Sequence, residues 1–518
     1  MPKPTQLPDN IADLKALLSA QLVEVAALTA ERDLLREEKN DDLQQIQRLT
    51  LLIDKLRRML FGRKSEKLIQ QIEQLQLELE ELHINQGERT QQAGATAPAK
   101  PVRSAPNRRP LPEHLPRDTQ EHLPQDASCP DCGGAWQRLG EDVSEVLEYV
   151  PSSFRVIRHV RPRMSCTCCE RMDQAPAVSR PIARSYAGPG LLSRVMISKY
   201  LDHQPLYRQA QIHAREGVEL SESTLGDWVG AVHKLVRPLV EALQRHIFSA
   251  TKLHTDDTPI AVLAPGNGKT RQGRLWVYAR DDRSSGDTTP PAVWYRYSPD
   301  RKGIHPQTHL KDYVGILQAD AYAGYDAIYE TGRVVEAGCW AHARRKFYDM
   351  HVQRPTPITT HVLEQIKALY EIEADIRGKP PDERKAVRQE RATPLARALH
   401  AWLIEKIPKI SRKSITAEAI GYAMNQWQAL TRYLDDGRIE IDNNAAERAL
   451  RGVALGRKNY LFLGSDAGGE RAATMYSLLG TAKLNDINPE AYLTHVLSVI
   501  ADHPVNRIDE LLPWNVKL

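Results

Sequence analysis

The placement of three acidic motifs constrains this chain more than any other feature of its sequence. The motifs are residues 254–258, 318–322 and 442–448. The first two lie at the ends of apolar, strand-like runs, and the third opens a helix. If the fold brings Asp256, Asp320 and Glu447 together, they form a carboxylate cluster, which suits hard divalent cations. The sequence therefore predicts a domain of strands and helices built around a cation site.

From residue 251 onward, β-rich runs alternate with turn residues. Three strands are followed by a helix, a fourth strand and a fifth, at about residues 252–262, 274–279, 292–297, 314–317 and 333–337. This order is typical of an RNase H-like fold, in which Asp256 on the first strand lies beside Asp320 after the fourth. Neighbours on a strand point to opposite faces, so Asp256 rather than Asp257 is expected to face the site. Alternatively, the two motifs mark only a turn and a strand end.

The third acid, Glu447, follows residues that favour the start of a helix. Asp442, Asn443 and Asn444 are typical N-cap residues. Arg451 lies one turn beyond Glu447 on the same face, so an ordinary exposed ion pair is the alternative interpretation. Against it, basic side chains that can contact DNA phosphates cluster nearby. These are Arg448, Arg451, Arg457 and Lys458.

The segment between Asp320 and Glu447 is longer than a simple domain of this type needs. Residues of about 341–430 have helical patterns, so we expect a helical insertion within a catalytic domain of residues 246–465. Residues 466–518 are expected to form a small C-terminal helical domain. At 518 residues the chain is too long for one ordinary core. The whole is predicted to be a multidomain α+β protein.

The cysteines predict a metal site. Six cysteines are too few for a disulfide framework at this length. In a reducing compartment, paired cysteines indicate metal ligands, and alternating segments separate Cys129 and Cys132 from Cys166 and Cys169. Four thiolates form a closed structural zinc site, so residues 119–178 are predicted to be a zinc ribbon. Cys168 is an alternative fourth ligand, and inert buried thiols are the alternative to a metal site.

The N-terminal part predicts self-association. Residues 11–88 carry apolar residues at alternating spacings of three and four, which indicates a coiled coil and a homo-oligomer. A long solvated helix is the alternative. Residues 89–118 read as a basic disordered linker. Residues 185–245 suggest three helices with Gly217 before the last, as in a helix-turn-helix, although this packing is also common outside DNA binding.

Bulk composition excludes some classes of protein. The formal net charge of +4 says little about nucleic acid by itself. No apolar run is long enough to span a bilayer, so no membrane partner is expected. The N-terminus lacks the apolar stretch of a secretory signal. We therefore expect a cytoplasmic location.

Two short segments resemble motifs of other chemistries. Residues 266–270 look like the end of a P-loop, but Leu263 stands where the first glycine belongs, so a hairpin turn is the better interpretation. His342 and Arg345 have the His-x-x-Arg spacing of tyrosine recombinases. No convincing tyrosine nucleophile motif accompanies them, so that interpretation is set aside.

Taken in order, these parts resemble the DDE transposases of the insertion sequence sixty-six family. The matching stretches are residues 60–67, 129–134, 147–151, 198–203, 254–259, 339–342 and 442–448. The resemblance covers nearly the whole chain. It implies a leucine zipper, a zinc-binding domain, a helix-turn-helix, an RNase H-like catalytic domain and a small C-terminal domain. The family's catalytic triad carries over onto Asp256, Asp320 and Glu447.

The resemblance also implies an activity and partners. Two Mg²⁺ ions, for which Mn²⁺ could substitute, would be held by the three acids and would assist cleavage at the terminal inverted repeats and strand transfer into target DNA. Accessory proteins encoded by the same element are implied as further partners. The competing hypothesis is a catalytically inactive, transposase-derived DNA-binding regulator. Such a protein would lose the carboxylates, and all three are present here.

Overall fold

The computed structural model describes residues 111–518, apart from 114, 125–127, 151–152, 265, 267–268, 412, 457–458 and 460–461, together with Val25 and Thr29. The predicted coiled coil of residues 11–88 and most of the predicted linker of residues 89–118 lie outside the described residues. Among the helices that are described, none is long and apolar enough to cross a bilayer.

The first described unit is a small sheet. Its strands are β1 (Arg117–Glu121), β2 (Trp136–Val150), β3 (Ser153–Cys166) and β4 (Met172–Gln174). The long strands β2 and β3 form an antiparallel hairpin, and β3 also pairs with β1 in parallel and with β4 in antiparallel orientation. Phe154 and Val156 are buried while Arg155 is exposed, which is the period-two alternation of a sheet with one covered face.

Three helices follow the sheet. They are α1 (Pro189–Tyr200), α2 (Leu206–Arg215) and α3 (Glu222–Phe248). The Glu148 carboxylate of β2 accepts the N–H of Leu191 at 2.8 Å, which satisfies an otherwise unpaired donor in the first turn of α1. Side chains at Gly188 or Gly190 would collide with that carboxylate. These contacts therefore hold the β2–β3 hairpin against the start of α1.

The turn before α3 has the glycine that the sequence singled out. Gly217 adopts a φ of 84°, which favours glycine. Ser221 caps α3 by accepting the N–H of Thr224. However, α3 is longer than the segment predicted to end at residue 245, and 13 of its 27 residues are buried. It acts as a central core helix, with its first turn partly exposed.

The central sheet has five strands. They are β5 (Lys252–Val262), β6 (Arg271–Arg280), β7 (Ala292–Ser298), β8 (Gly315–Gln318) and β9 (Val334–Ala337). Their order is β7-β6-β5-β8-β9, with β5, β6 and β7 antiparallel and with β8 and β9 parallel to β5. The segment that resembles a P-loop thus joins two antiparallel strands. Short helices α4 (Ile304–His309) and α5 (Asp326–Tyr329) precede β8 and β9.

The next helices form a separate layer with its own core. They are α6 (Trp340–Gln353), α7 (Pro357–Asp375), α8 (Pro381–Val387), a π-helical turn (Arg388–Ala392), α9 (Thr393–Lys406), α10 (Ile415–Asn425) and α11 (Trp427–Thr431). Thr356 opens α7 with a capping box, which satisfies donors at the helix start. Ile366, Leu399 and Ile420 are almost fully buried in this second core. These helices are inserted between β9 and the third acidic motif.

An ion network joins the inserted helices to the central sheet. Arg388 donates to the Glu373 carboxylate through two bonds of 2.7 Å, and neither side chain is more than 8% exposed. Arg384 lies 3.0 Å from Glu440, and Lys252 of β5 lies 3.9 Å from the same carboxylate. We refer to these five residues as the insertion ion network. Buried charges of this kind are stabilising only when paired.

Three α-helices follow, α12 (Asn444–Gly456), α13 (Asp466–Leu484) and α14 (Pro489–Val499), and two 3₁₀ helices (Val505–Leu511 and Pro513–Asn515) come after them. Strand β7 lies at the edge of the sheet, where backbone groups would be unpaired. The hydroxyls of Ser477 and Thr481 on α13 accept the N–H groups of Tyr295 and Val293, at 2.8 Å and 3.1 Å. The C-terminal helices therefore cover this edge, and they share one core with α1, α3 and the central sheet.

Candidate active site

Strand β5 carries two adjacent acids with different surroundings. The Asp257 carboxylate pairs with Arg274 at 3.0 Å and with Arg301 at 2.8 Å, and only 2% of its side chain is exposed. The Asp256 carboxylate accepts the N–H of Asp257 at 2.8 Å, and no basic side chain in the described part of the chain forms an ion pair with it. Asp257 is thus neutralised within the protein, and Asp256 is not.

Asp320 lies two residues beyond the end of β8. Because β8 pairs in parallel with β5, the chain leaves the sheet next to the first acidic motif. The Asp320 carboxylate lies 3.7 Å from Arg301, so this arginine stands between Asp257 and Asp320. Burial raises the pKa of Asp320, while His342 and Arg301 oppose the rise.

Glu447 lies in the first turn of α12, and the residues before it set its position. The Asn443 side chain is fully buried and donates to the backbone oxygen of Thr255 at 2.8 Å. Its oxygen lies 3.1 Å from Nδ1 of His254. Its backbone N–H donates to Sγ of Cys339 at 3.2 Å. Asn443 therefore fastens the start of α12 to β5 and so brings Glu447 to the acids of the sheet.

The three acids interact electrostatically at Asp256. Burial raises the pKa of Asp256 to about 7, against the hydrogen bond from the Asp257 N–H. The negative charges of Asp320 and Glu447 contribute to the same rise. The carboxylates of the three acids are not among the described groups whose ligand atoms all lie within 4.8 Å of one another, whereas Glu447 forms such a group with Cys339 and His342. We refer to Asp256, Asp320 and Glu447 as the acidic cluster, and its chemistry favours a bound cation.

Other side chains complete the surroundings of Glu447. On α6, Nδ1 of His342 lies 3.8 Å from one Glu447 carboxylate oxygen, and a guanidinium nitrogen of Arg345 lies 3.9 Å from the other. Sequence reasoning assigned no role here to His342, Arg345 or Arg301. The signal for His342 was the stretch 339–342 among the family motifs, and the His-x-x-Arg spacing included Arg345. Arg301 gave no signal, because it is distant in sequence from both acids that it contacts.

A groove of about 850 Å³ opens next to the acidic cluster, between α6 and α7. Arg344, Arg345 and Lys367 line it, together with Tyr348. The guanidinium of Arg344 lies over the Tyr348 ring, 5.0 Å from its centre. Carboxylates also contribute to the lining, so the groove has mixed charge. Guanidinium and ammonium donors beside an aromatic face are groups that bind nucleic-acid strands.

The basic residues predicted to contact DNA have different positions. Arg448 is half-exposed, and its guanidinium lies 3.9 Å from the Asp281 carboxylate. It lines a second cavity, of about 750 Å³, on the side of the insertion ion network. Arg451 is exposed on α12. Arg457 and Lys458 lie outside the described residues.

The cysteine cluster lies at the open end of the β2–β3 hairpin. The sulfur atoms of Cys129, Cys132, Cys166 and Cys169 all lie within 4.8 Å of one another. Cys132 Sγ is 3.1 Å from Cys166 Sγ and 3.3 Å from Cys169 Sγ. Four converging thiols without a disulfide suit a tetrahedral zinc ion. The geometry brings Cys169 into this set, while Cys168 contributes its backbone N–H to Cys166 Sγ.

Family models match successive parts of the chain. The model described as transposase IS66 family matches residues 184–471, and the IS66 C-terminal element matches residues 477–514. The zinc-finger binding domain of transposase IS66 matches residues 126–170. A model described as transposase C of IS166 homeodomain matches residues 48–119. The first of these alone covers more than half of the chain.

The chain is also similar to curated proteins of Sinorhizobium fredii (strain NBRC 101917 / NGR234). One, named uncharacterized protein y4hP, is 42% identical over 491 residues, which are 90% of this chain and 88% of that protein. Another, uncharacterized protein y4qI, is 37% identical over 529 residues, covering 99% of this chain and 98% of that protein. Both alignments span nearly the whole length of each partner.

Proposed function

This chain belongs to the transposase IS66 family, as its sequence motifs predicted, and we propose that it is a DDE-type transposase that cuts and joins DNA. One observation carries the proposal: burial raises the pKa of Asp256 to about 7, and the negative charges of Asp320 and Glu447 add to that rise. A buried acid without a protein counter-charge is stable as a carboxylate only beside another cation. Two Mg²⁺ ions, or Mn²⁺ in their place, are the proposed partners.

The sheet supports the assignment of an RNase H-like catalytic domain. Three antiparallel strands and two parallel ones, in the order β7-β6-β5-β8-β9, set Asp256 on the middle strand and Asp320 beyond its parallel neighbour. Glu447 lies in the first turn of α12, and the Asn443 side chain joins the start of that helix to β5. In this proposal the helices α6 to α11 are an insertion into the catalytic domain, and α13 and α14 form its C-terminal support.

Each group of residues has a proposed role in the reaction. Asp256, Asp320 and Glu447 hold the cations, which when bound supply an activated nucleophile and Lewis-acid stabilisation of phosphoryl transfer. Arg301 bridges Asp257 and Asp320 and orients both carboxylates. The groove lined by Arg344, Arg345 and Lys367 holds the phosphates of the strand to be cut. The contacts of Asn443 keep Glu447 in register with the sheet.

Binding of the element ends is proposed for the N-terminal half. The cysteine cluster would hold a structural zinc ion and so fix the β2–β3 hairpin. Because the buried residues of α3 begin at Leu225, base contacts are proposed for its first turn and for α2, where Arg208 and Arg215 are exposed. Pairing of protomers through residues 11–88 stays a prediction, as do the accessory partners.

The test of this function is cleavage of a labelled duplex that carries the terminal inverted repeat of the encoding element. With Mg²⁺, the wild-type protein should cut at the repeat. Asp256→Asn, Asp320→Asn and Glu447→Gln should each lose at least about a hundredfold in rate, since each removes a group that stabilises the transition state. The matched control is Asp375→Asn, because Asp375 is an exposed acid that forms a surface pair with Arg391.

The outcomes separate the competing hypotheses. Full activity in one of the three variants would remove that residue from the triad. Specific binding of the repeat by the wild-type protein, without cleavage by any preparation, would favour the inactive DNA-binding regulator. Equal loss in Asp375→Asn would mean that the assay reports folding rather than catalysis.

A further inference from the structure

Two buried polar atoms face each other beside the acidic cluster without a hydrogen-bond partner in the described structure. They are Nδ1 of His342 and Oε1 of Glu447. They are 3.8 Å apart, which is too long for a hydrogen bond. This separation is also shorter than twice a typical metal–ligand distance of about 2.1–2.3 Å, so one ion could contact both atoms. The pair is therefore spaced as two ligands of one ion are spaced.

The backbone holds His342 in this position. The first residues of α6 are fastened to the segment that leads into α12, because the N–H of Trp340 donates to the Ile441 oxygen at 3.1 Å. The Cys339 sulfur accepts the N–H of Asn443 at 3.2 Å. The first turns of the two helices, which carry His342 and Glu447, are thus joined by two independent contacts. The backbone therefore fixes the relative position of the two helix starts from which these side chains extend.

The third member of this group, Cys339, has a different role. Its sulfur lies within 4.8 Å of the His342 and Glu447 ligand atoms, so it could in principle bind the same ion. However, the side chain is 2% exposed, and its sulfur is already the acceptor for the Asn443 N–H. Cys339 is a positioning residue that joins the two helix starts.

We propose that His342 is a fourth protein ligand of the catalytic cation site and binds through Nδ1 to the ion held by Glu447. This rests on the proposed function, because it presumes a divalent cation in the acidic cluster. The Nδ1 atom must then be unprotonated, with the imidazole proton on Nε2. An imidazole ligand strengthens binding of transition-metal ions more than binding of Mg²⁺. The site should therefore prefer Mn²⁺ over Mg²⁺ more strongly than three carboxylates would.

The test is pulsed electron paramagnetic resonance of Mn²⁺ bound to the full-length protein. We expect a nitrogen hyperfine coupling in the wild-type spectrum that changes when the protein is labelled with ¹⁵N-histidine. This measurement needs no variant and so does not depend on a variant folding. In His342→Ala the nitrogen coupling should vanish. The Mn²⁺ dissociation constant should rise by at least about tenfold, which is the lower end of the loss in affinity caused by mutations around a metal site. The Mg²⁺ constant should rise less.

A matched control comes from the same inserted helices. His361 stacks on Trp402, with ring centres 4.3 Å apart, and makes no contact with the acidic cluster. His361→Ala should leave the coupling and both constants unchanged. Mn²⁺ that binds in an Asp256-dependent manner without nitrogen coupling would overturn the assignment of His342 alone. Mn²⁺ binding that is unaffected by Asp256→Asn and Glu447→Gln would instead overturn the proposed cation site itself.

Discussion

Two groups of carboxylates lie close together in this protein and have opposite electrostatics. Glu440, in the insertion ion network, and Glu447, in the acidic cluster, are seven positions apart, with side chains 21% and 27% exposed. Burial opposes ionisation of Glu440, yet Lys252 and Arg384 outweigh it and lower its pKa to about 2. Burial raises the pKa of Asp256 to about 7, and no cation offsets it within the described residues.

The difference shows that burial alone does not mark a functional acid. Glu373 and Glu440 have their counter-charges built into the fold, so neither carboxylate is buried without a partner and removal of a partner is costly. Asp256, Asp320 and Glu447 lack full compensation, so they are costly to the fold and suited to a ligand that supplies positive charge. The following predictions test this contrast, from the largest expected effect to the smallest.

The largest effect is expected from breaking the ion network. Arg388→Met leaves the Glu373 carboxylate buried without its bidentate partner, so we expect α7 to lose about 3–5 kcal/mol of stability. Amide hydrogen exchange of the residues in α7 measures this local free energy of opening. Arg391→Met is the matched control from the same π-helical turn, since Arg391 is half-exposed and its pair with Asp375 is worth under about 1 kcal/mol. Equal losses would contradict the role assigned to burial.

The second prediction concerns pH. Folded protein keeps the proton on Asp256 up to about pH 7, whereas the unfolded chain releases it near pH 3.8. The contribution of Asp256 to the free energy of unfolding is therefore fully present below pH 3.8 and is lost as the pH rises through 7. Relative to Asp256→Asn in cation-free buffer, the wild-type free energy of unfolding should fall by on the order of 2–4 kcal/mol between pH 4 and pH 7.5.

Glu440 provides the opposite slope for the same experiment. Its pKa falls from 4.5 to about 2 on folding, so its contribution is present above pH 4.5 and is lost as pH falls toward 2. The stability difference between wild type and Glu440→Gln should thus shrink on acidification. Urea unfolding at a series of pH values measures both differences. Slopes of the same sign for the two acids would contradict the contrast.

The sequence does not predict most of the contrast between the paired carboxylates of the insertion ion network and the acidic cluster. Period-two patterns and turn residues locate the strands, because they depend on local spacing. Strand alternation also separates Asp256 from Asp257, whose partners in the structure are Arg274 and Arg301. The partner of Glu373, by contrast, is Arg388, in a π-helical turn that no periodicity indicates. An ion pair between two elements depends on how those elements pack, so it can be identified only from the folded structure.

The sequence also left open which cysteine completes the metal-binding set. Cys169 has the Cys-x-x-Cys spacing from Cys166, but the neighbouring Cys168 could replace it, and the turn that follows β3 distinguishes the two. In that turn the N–H of Glu170 donates to the Cys166 oxygen at 3.0 Å, and Glu170 has a φ of 58°. This conformation directs Cys169 to the other thiols.

The third prediction concerns Mn²⁺, which would supply the positive charge that the acidic cluster lacks. Mn²⁺ at about ten times its dissociation constant should raise the free energy of unfolding of the wild-type protein by about 1.4 kcal/mol, by mass action. Asp256→Asn should abolish this increment, because it removes a ligand. Glu440→Gln should retain it, because Glu440 belongs to the ion network. Thermal unfolding with and without Mn²⁺, in protein saturated with zinc, measures all three. Loss of the increment in Glu440→Gln would mean that the two groups act as one.

The smallest effect tests whether the two groups are independent. Ser284 donates its hydroxyl to the Glu440 carboxylate, which also keeps Arg384 at 3.0 Å and Lys252 at 3.9 Å. Ser284→Ala removes one of several partners, so we expect a loss of only about 1–1.5 kcal/mol in unfolding free energy. Ser498→Ala is the control, because Ser498 is exposed and bonds only within its own helix end. Cation affinity should change less than about twofold, since mutations without shared partners add independently. A larger change would show that the ion network sets the position of Glu447 through the six residues that separate it from Glu440.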